Sequence, residues 1–284
     1  MWIYLALGSA LLLGLYDIAK KQAASKNGVL QILFVATALS TIFLSPFLFK
    51  YETDLRSHFL LFAKGLIVSI SWISGMIALK LLPITTVSTL KATRPFLVVL
   101  LSVLLFHEKL NILQWSGILI AIIAIWLLGC SSRQEGISFK NNKGWIAMII
   151  SIASGVLSAL YDKHIITGFN PLTVQSWGNL YITIILGVCI LLKKTQHRDR
   201  SMKFNWDWTL LIIAVFITLA DALYFFAIKQ EGALLSVISI IRRCSVIVTF
   251  AFGALFFKEK NIKRKSINII VLMIGMALLI IGSR

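Results

Sequence analysis

The sequence predicts an all-α membrane protein in which ten transmembrane helices form two inverted five-helix repeats. Of the 284 residues, 58% are apolar and only 14% are charged, whereas a soluble globular protein is about half apolar and about a quarter charged. The apolar residues form runs of roughly 18–24 residues, and a helix of about 20 residues crosses the hydrocarbon core of a bilayer. The third observation is that the pattern of the first half recurs in the second half.

Ten apolar runs, separated by short polar segments, define the predicted helices. Pro83 and Pro171 stand at helix starts, where the missing backbone N–H costs little, and Pro95 is expected to kink the fourth helix. No run alternates polar and apolar residues as a membrane strand would. The predicted helices lie near residues 2–21, 30–49, 59–80, 83–105, 111–130, 144–166, 171–192, 207–228, 232–257 and 264–282.

The net charge of +17 does not indicate a nucleic-acid partner, because the Lys and Arg residues fall mainly between the apolar runs. Basic residues in those places favour membrane insertion and contact lipid headgroups. We therefore expect the lipid bilayer, and no nucleic acid, as a partner. Cys130, Cys189 and Cys244 stand alone without metal-binding spacing, so we expect them to be small buried hydrophobic residues.

A duplication relates the first predicted helix to the sixth. GLYDIAKK (14–21) ends the first run and ALYDKHII (159–166) ends the sixth, so that Asp162 follows Asp17 at a distance of 145 residues. In each helix, small residues spaced by four precede the Asp on the same face, which directs the carboxylate into the protein rather than the lipid. Each half contains five predicted helices, an odd number, so the second half must enter the membrane upside down. Inverted repeats around a site at the membrane midplane are typical of secondary transporters.

Two further matches support the duplication. LFHEKLN (105–111) after the fourth run resembles FFKEKNI (256–262) after the ninth, and IALK (77–80) in the third helix resembles FAIK (226–229) in the eighth. The predicted domains are a five-helix repeat over 1–130, a connecting loop over 131–143 and a second five-helix repeat over 144–284.

The segments LLPITTVSTLKATRPFLVVLLSVLLFHEKLN (81–111) and LLSVISIIRRCSVIVTFAFGALFFKEKN (234–261) resemble each other and a known family. At these residues the chain is similar to the EamA family of ten-span proteins in the drug/metabolite transporter superfamily. Both segments follow the family pattern of a span rich in small residues, a central Pro or its equivalent, and a Gly-Glu-Arg-like end. The resemblance implies a central cavity through which small metabolites, amino acids or drugs are exported or exchanged. It also implies a multi-pass protein of the cell membrane, here the inner membrane of a bacterium or archaeon.

The chain departs from the family pattern at a few positions. His107 and Lys258 stand in place of the usual Gly, and Lys109 and Lys260 stand in place of the usual Arg. The second copy has no proline near Val246. These departures concern the fine mechanism and not the fold.

Ionisable residues deep inside a span cost several kcal/mol unless they are paired or hydrated, so they mark a cavity. Lys91 and Arg94 share a helix face, and Arg242 corresponds to Lys91 in the second half. Two cationic groups are therefore expected to face each other across a pseudo-twofold axis, where they could bind a carboxylate or phosphate of a substrate. The alternative is that they neutralise acidic residues in fixed structural bridges. The residues of this kind are Asp17, Lys91, Arg94, Asp162, Asp221, Arg242 and Arg243.

A set of polar and aromatic residues inside the spans is predicted to form the transport site. Trp72 could instead pack in the protein or face lipid, and Asn179 could join neighbouring helices. The predicted substrate-binding residues are Lys91, Arg94, Arg242, Asp221, Tyr224, Trp72 and Asn179, and the candidates for coupling transport to an ion, with the proton as the candidate ion, are Asp221, Asp17 and Asp162.

The two repeated Asp residues also have a structural interpretation. Asp17 lies close to Lys20 and Lys21, and Asp162 lies close to Lys163 and His164. Local bridges of the type Asp17 to Lys21, together with headgroup contacts, are therefore the alternative to a role in coupling.

Glu108 and Glu259 close the two matching segments after the fourth and ninth helices. We expect both to serve the structure at the ends of the spans. In that position a carboxylate binds a neighbouring Lys or the free amides at the N-terminus of a helix.

The sequence shows no enzymatic constellation. It contains no P-loop, G-x-S-x-G or H-E-x-x-H motif, and its four histidines lack ligand partners at metal spacing. We expect neither a metal nor another cofactor. The predicted function is a secondary transporter that exports or exchanges a small polar or amphipathic metabolite, such as an amino acid, organic acid or drug-like molecule, by alternating access. The alternative is a non-transporting membrane scaffold or a lipid-modifying enzyme, and the sequence leaves the oligomeric state open.

Charge and resemblance predict different sides for the termini. More Lys and Arg residues follow odd-numbered helices than even-numbered ones, with Lys64 counted among the latter. The positive-inside rule then places both termini outside. The resemblance implies cytoplasmic termini, so both orientations stay open.

Overall fold

The structure of the protein is a computed structural model. Within the described ranges it consists of ten helices and no strand, which confirms the all-α prediction. The described residues are 1–23, 27–50, 54–81, 94–131, 142–196, 205–245, 247–248 and 262–282.

Each described helix coincides with one of the predicted runs. Residues 82–93 lie outside the described residues, so the described part of the fourth helix begins at Arg94, and the turn that Pro95 would kink is not covered. Cys244 is buried and Cys189 is half-buried. The helices are α1 (Trp2–Ala23), α2 (Val29–Leu48), α3 (Leu55–Leu81), α4 (Arg94–Phe106), α5 (Ile112–Ser131), α6 (Asn142–Ile165), α7 (Pro171–Gln196), α8 (Trp208–Lys229), α9 (Leu235–Arg243) and α10 (Ile262–Gly282).

Six of these helices are long and apolar enough to cross a membrane, namely α1, α2, α3, α6, α7 and α8. Shorter apolar segments occur in α4, α5 and α10. Many large apolar side chains on these helices are exposed, as expected where the surrounding solvent is lipid. The chain is thus an integral membrane protein, whereas the crossing of all ten helices stays a prediction.

Carboxylates bind the free amides at the starts of two long helices. Asp54 accepts the backbone N–H of Ser57 at 2.9 Å before α3, and Asp207 accepts the N–H of Thr209 at 3.1 Å before α8. Such caps satisfy amides that have no partner within the helix. The hydrogen bonds from Ser57 lower the pKa of the exposed Asp54, because they favour the ionised carboxylate.

Glu108 fixes the start of α9 from the opposite half of the chain. Its Oε1 accepts the N–H of Leu235 at 2.6 Å, and its Oε2 accepts the N–H of Ser236 at 3.2 Å and the hydroxyl of Ser236 at 2.5 Å. This confirms the prediction that Glu108 binds helix N-terminal amides, where a negative charge is favourable. Glu259, its counterpart, lies outside the described residues.

The two halves pack against each other in pairs that the sequence repeat relates. α1 packs on α8 and the equivalent α6 packs on α3; likewise α2 packs on α8 and α7 on α3, and α1 packs on α9 and α6 on α4. The pairs α5–α10, α2–α7 and α4–α9 each join equivalent helices. If each helix is replaced by its equivalent in the other half, the same set of pairs results. This is the property of a twofold arrangement.

α5 and α10 cross at small residues. A Cβ on Gly117 would lie 2.7 Å from the carbonyl oxygen of Gly275 and 2.9 Å from the backbone nitrogen of Leu279. A Cβ on Gly275 would lie 2.8 Å from the backbone nitrogen of Ala121. Because these neighbours are backbone atoms, no change of rotamer can relieve the clash. The crossing therefore requires glycine, as close helix pairs in membranes often do.

Gly117→Ala is expected to destabilise the protein by about 1–3 kcal/mol, because the added methyl group forces α5 and α10 apart. Thermal unfolding of the purified protein in detergent measures the effect. Gly168→Ala is the matched control, since the nearest atom to a Cβ there is the carbonyl oxygen of Ile165 at 3.8 Å. Equal midpoints for the two variants would contradict the close crossing.

Candidate functional site

A cavity of about 440 Å³ lies between the two halves. Small-molecule sites in proteins commonly have volumes of about 300–1,000 Å³. Side chains from α3, α4, α8 and α9 line the cavity, together with polar groups from α1 and α6. Residues of α2 and α7 add to the lining.

The cavity brings most of the predicted site residues together. Lys91 lies outside the described residues, so its place stays a prediction. Each of the other predicted substrate-binding residues lines the cavity, and so do the three candidate coupling carboxylates. These lining residues are Trp72, Arg94, Asn179, Asp221, Tyr224, Arg242, Asp17 and Asp162.

Asp221 and Arg242 form an ion pair at the wall of the cavity. Arg242 Nη2 donates to Asp221 Oδ1 at 2.7 Å, and the Arg242 guanidinium lies 4.1 Å from the ring centroid of Tyr224. Both charged side chains keep 20% or more of their surface exposed. Tyr224 itself is buried. Either charged side chain can therefore leave the other and bind a substrate group without first moving out of an apolar core.

Lys64 and Asp162 form a second ion pair that is buried. Lys64 Nζ donates to Asp162 Oδ1, and only about 5% of each residue is exposed. Lys64 Nζ also lies 4.6 Å from the ring centroid of Phe225. An ion pair without access to water is stable only if both charges are present. This pair joins α3 to α6 across the two halves.

The Lys64–Asp162 pair corrects two expectations from the sequence. Local pairing of Asp162 with Lys163 or His164 is wrong, because Lys64 of α3 is its partner and Lys163 Nζ donates to the carbonyl oxygen of Ala233 at 2.5 Å. Lys64 was counted among the connection charges, which is also wrong, because it lies inside α3. Its removal leaves the sign of the charge bias unchanged.

Asp17 differs from its repeat equivalent in exposure. Asp17 is exposed and Asp162 is buried, although both line the cavity. One turn further along, Lys20 lines the cavity with its Nζ 5.3 Å from the ring centroid of Tyr16, whereas Ile165, the equivalent of Lys20, is buried. The side chain of Lys21, the predicted partner of Asp17, lies outside the described residues.

Arg94 extends from the start of α4 to the backbone of α6. Its Nη2 donates to the hydroxyl of Ser71 at 2.8 Å and to the carbonyl oxygen of Ser151 at 3.4 Å. The guanidinium occupies the space over Gly155, where a Cβ would lie 0.8 Å from Nη2. Its Nε–H is buried without an acceptor among the described residues. Arg94 therefore has only neutral hydrogen-bond acceptors.

A series of hydrogen bonds leads away from the cavity between α2, α7 and α8. Asn179 Nδ2 donates to the hydroxyl of Ser40 at 3.0 Å, and that hydroxyl shares a hydrogen bond with the hydroxyl of Thr218. Gln175 Nε2 donates to the carbonyl oxygen of Thr218 at 2.7 Å. Asn179 thus lines the cavity and also joins helices, so both sequence interpretations of this residue describe its position.

Sequence reasoning missed several lining residues. Lys64 could have been found, because it falls five residues inside the predicted third helix, where a charge marks a cavity. Ser71 and Ser151 bond each other's carbonyl oxygens at 2.9 and 2.8 Å. Isolated serines in apolar runs carry no signal that separates such contacts from other interhelical hydrogen bonds.

Comparisons with known proteins give one family and one fold. The model of the EamA-like transporter family matches residues 1–130 and again residues 142–281. No curated protein matches the sequence. Among solved structures 29 chains match; one, described only as "Crystal structure of protein", has 14% sequence identity, covers 98% of each chain and has a TM-score of 0.79. At that identity the similarity indicates the fold alone.

Breaking the buried ion pair on one side only is expected to destabilise the fold. Lys64→Met should cost about 3–5 kcal/mol, because it leaves Asp162 buried without a counter-charge. The double variant Lys64→Met/Asp162→Asn removes both charges and should recover most of that loss. Denaturant unfolding in detergent, arranged as a double-mutant cycle, measures the coupling. Additive effects of the two substitutions would contradict the pairing.

Proposed function

The chain belongs to the EamA-like transporter family, and from this we propose that it is a secondary transporter that exports or exchanges a small polar or amphipathic metabolite by alternating access. The observation that carries the proposal is the cavity between two repeat-related halves, lined by charged side chains from the middle of apolar helices. Charges in that position are costly unless they serve a hydrated pathway or are paired.

We extend the proposal to the topology of the chain. Residues 1–130 and 144–284 form two five-helix repeats that cross the cell membrane in opposite senses, joined by the loop 131–143. The exchangeable set of helix pairs supports this arrangement, and the odd number of helices in each half supports the inversion. The membrane is the inner membrane of a bacterium or archaeon.

The one-sided opening of the cavity supports alternating access. On α1 the lining runs from Leu13 to Lys20, whereas on α6 it runs from Ser151 to Asp162 and stops before the equivalent of Lys20. In inverted repeats the C-terminal ends of α1 and α6 lie on opposite sides of the membrane. Asp17 near the end of α1 is exposed and Asp162 near the end of α6 is buried, which supports a cavity that opens at the α1 end and that the Lys64–Asp162 pair closes at the α6 end.

Asp221 is a candidate both for binding the substrate and for coupling transport to an ion. Asp221 and Arg242 form a partly exposed pair that a polar substrate can open, with Tyr224, Trp72 and Asn179 as further contacts. The candidates for binding a coupling proton are the three carboxylates of the cavity lining, Asp17, Asp162 and Asp221. No specific observation among the described residues favours a scaffold or a lipid-modifying enzyme.

Asp221→Asn and Arg242→Gln are each expected to abolish transport while leaving a folded, membrane-inserted protein. Each substitution removes one charge of the partly exposed pair and leaves the other charge without its counter-charge in the cavity. Flux of labelled amino acids, sugars and organic acids in reconstituted liposomes is the measurement. Arg56→Gln, which changes an exposed charge outside the cavity, is the control. Normal flux in both pair variants would remove the site assignment.

Thiol labelling tests the one-sided opening. In a variant that lacks the three native cysteines, Lys20→Cys is expected to react readily with a hydrophilic thiol reagent, while Ile165→Cys is protected. Adding Lys64→Met/Asp162→Asn should accelerate the reaction at Ile165→Cys, because it removes the ion pair that holds that side closed. Equal rates at the two positions before that addition would contradict the closed side.

A further inference from the structure

The lining of the cavity carries an excess of positive charge. Among the described lining residues, five side chains are basic and three are acidic. Two of the acids are neutralised in direct ion pairs with one base each. Within apolar helices this excess of positive charge raises the free energy of the folded protein. The basic residues are Lys20, Lys64, Arg94, Arg242 and Arg243, and the acidic residues are Asp17, Asp162 and Asp221.

Arg94 is poorly compensated for a charged group in this position. Its hydrogen bonds go to the hydroxyl of Ser71 and the carbonyl oxygen of Ser151, which are neutral. It forms no salt bridge within the described part of the chain, and its Nε–H lacks an acceptor there. Neutral oxygens satisfy donors but do not supply the counter-charge that a buried guanidinium needs.

Arg243 lines the same cavity as Arg94, from α9. It also forms no salt bridge among the residues that the structure describes. The charges of Arg94 and Arg243 repel each other, and Arg242 adds to the repulsion on Arg243. Asp17 attracts Arg243, but Asp17 is exposed, where solvent screens its charge. An anion between the two guanidinium groups would replace this repulsion by two attractions.

Gly155 gives the Arg94 guanidinium its position. A Cβ at Gly155 would lie 0.8 Å from Arg94 Nη2 and 1.7 Å from Arg94 Cζ. Any side chain on this turn of α6 would displace the charged group from its present place. The local backbone and the cation are therefore complementary, which is what a formed binding site requires and an incidental surface charge does not.

We propose that the cavity binds small organic anions and that the guanidinium groups of Arg94 and Arg243 hold the carboxylate of the substrate. Guanidinium groups match carboxylates in geometry and form charge-assisted hydrogen bonds with them. The inference rests on the proposed transport function and narrows its substrate class to organic acids. The Asp221–Arg242 pair lines the same cavity and contacts the part of the substrate that lies beyond its carboxylate.

The test compares ligands of equal size and different charge. The probes are succinate, succinamide and diaminobutane, together with butyrate, butyramide and butylamine. Each is added at millimolar concentration to the purified full chain in detergent, and the thermal midpoint is measured. The carboxylates are expected to raise the midpoint, because they bind the folded state, whereas the amides and amines leave it unchanged.

Three variants separate binding from folding. Arg94→Gln should weaken carboxylate binding roughly 10- to 100-fold, the loss typical of a charge-assisted hydrogen bond, and should leave the ligand-free midpoint equal or higher, because it removes an uncompensated charge. Arg94→Lys should lose part of the affinity. Gly155→Ala, which changes no charge but displaces the guanidinium, should also weaken binding, while Gly168→Ala and Arg56→Gln should not.

Several results would overturn the anion site. One is stabilisation by amides or amines equal to that by carboxylates, and another is no stabilisation by any carboxylate probe. A third is an Arg94→Gln protein that loses ligand-free stability but keeps the carboxylate effect, which would make Arg94 structural. Flux of the same probes in liposomes separates the two proposals. Transport of amines or amides alone would retain the transporter and remove the anion site, whereas carboxylate binding without any flux would do the opposite.

Discussion

The need to compensate ionised groups inside apolar helices organises the centre of this protein. Lys64 and Asp162 meet this need by direct contact in a buried pair. Asp221 and Arg242 meet it with partial access to the cavity and with the ring of Tyr224. Within the described part of the chain, Arg94 meets it through neutral oxygens alone. The three solutions range from a fixed structural contact to one that a ligand can complete, since the cost of a buried charge falls as counter-charge and water approach it.

Equivalent helices of the two halves make equivalent contacts, but the residues at those contacts differ. The match of IALK with FAIK places Ile213 in α8 where α3 has Lys64, and Ile213 is buried. Asp17 therefore meets no lysine at the position equivalent to the partner of Asp162. The side closed by the Lys64–Asp162 pair and the side that carries Asp17 cannot close through the same interaction. If the protein works by alternating access as proposed, this difference in residues would make its two facing conformations unequal in free energy.

Much of this architecture follows from the sequence, and the limits have physical causes. The helices and the duplication are predictable because lipid demands long apolar runs and because Asp17 and Asp162 repeat in the same local pattern. Most charged residues of the cavity, though not Lys20 and Lys64, are predicted because such charges are rare in spans. The pairing of Asp162 with Lys64 is not, because it joins helices far apart in sequence and a local partner was equally available. The place of the Arg94 guanidinium over Gly155 depends on side-chain packing between α4 and α6, which periodicity does not encode.

Arg94 and Arg243 lie on two equivalent helices, and this position would allow one site to serve two conformations. α4 and α9 are equivalent helices that pack on each other, so a site between them lies near the axis that exchanges the halves. An alternating-access protein moves one repeat against the other around such a site, and the site itself keeps its neighbours. The pairs α1–α8 and α3–α6 are equivalents of each other and lie off the axis. They differ in that Asp17 on α1 is exposed and Asp162 on α6 is buried. An anion held between α4 and α9 would attract both halves at once. Binding there would lower the repulsion between the two cations without favouring either side of the membrane. A carrier that binds on one side and releases on the other needs this energetic property.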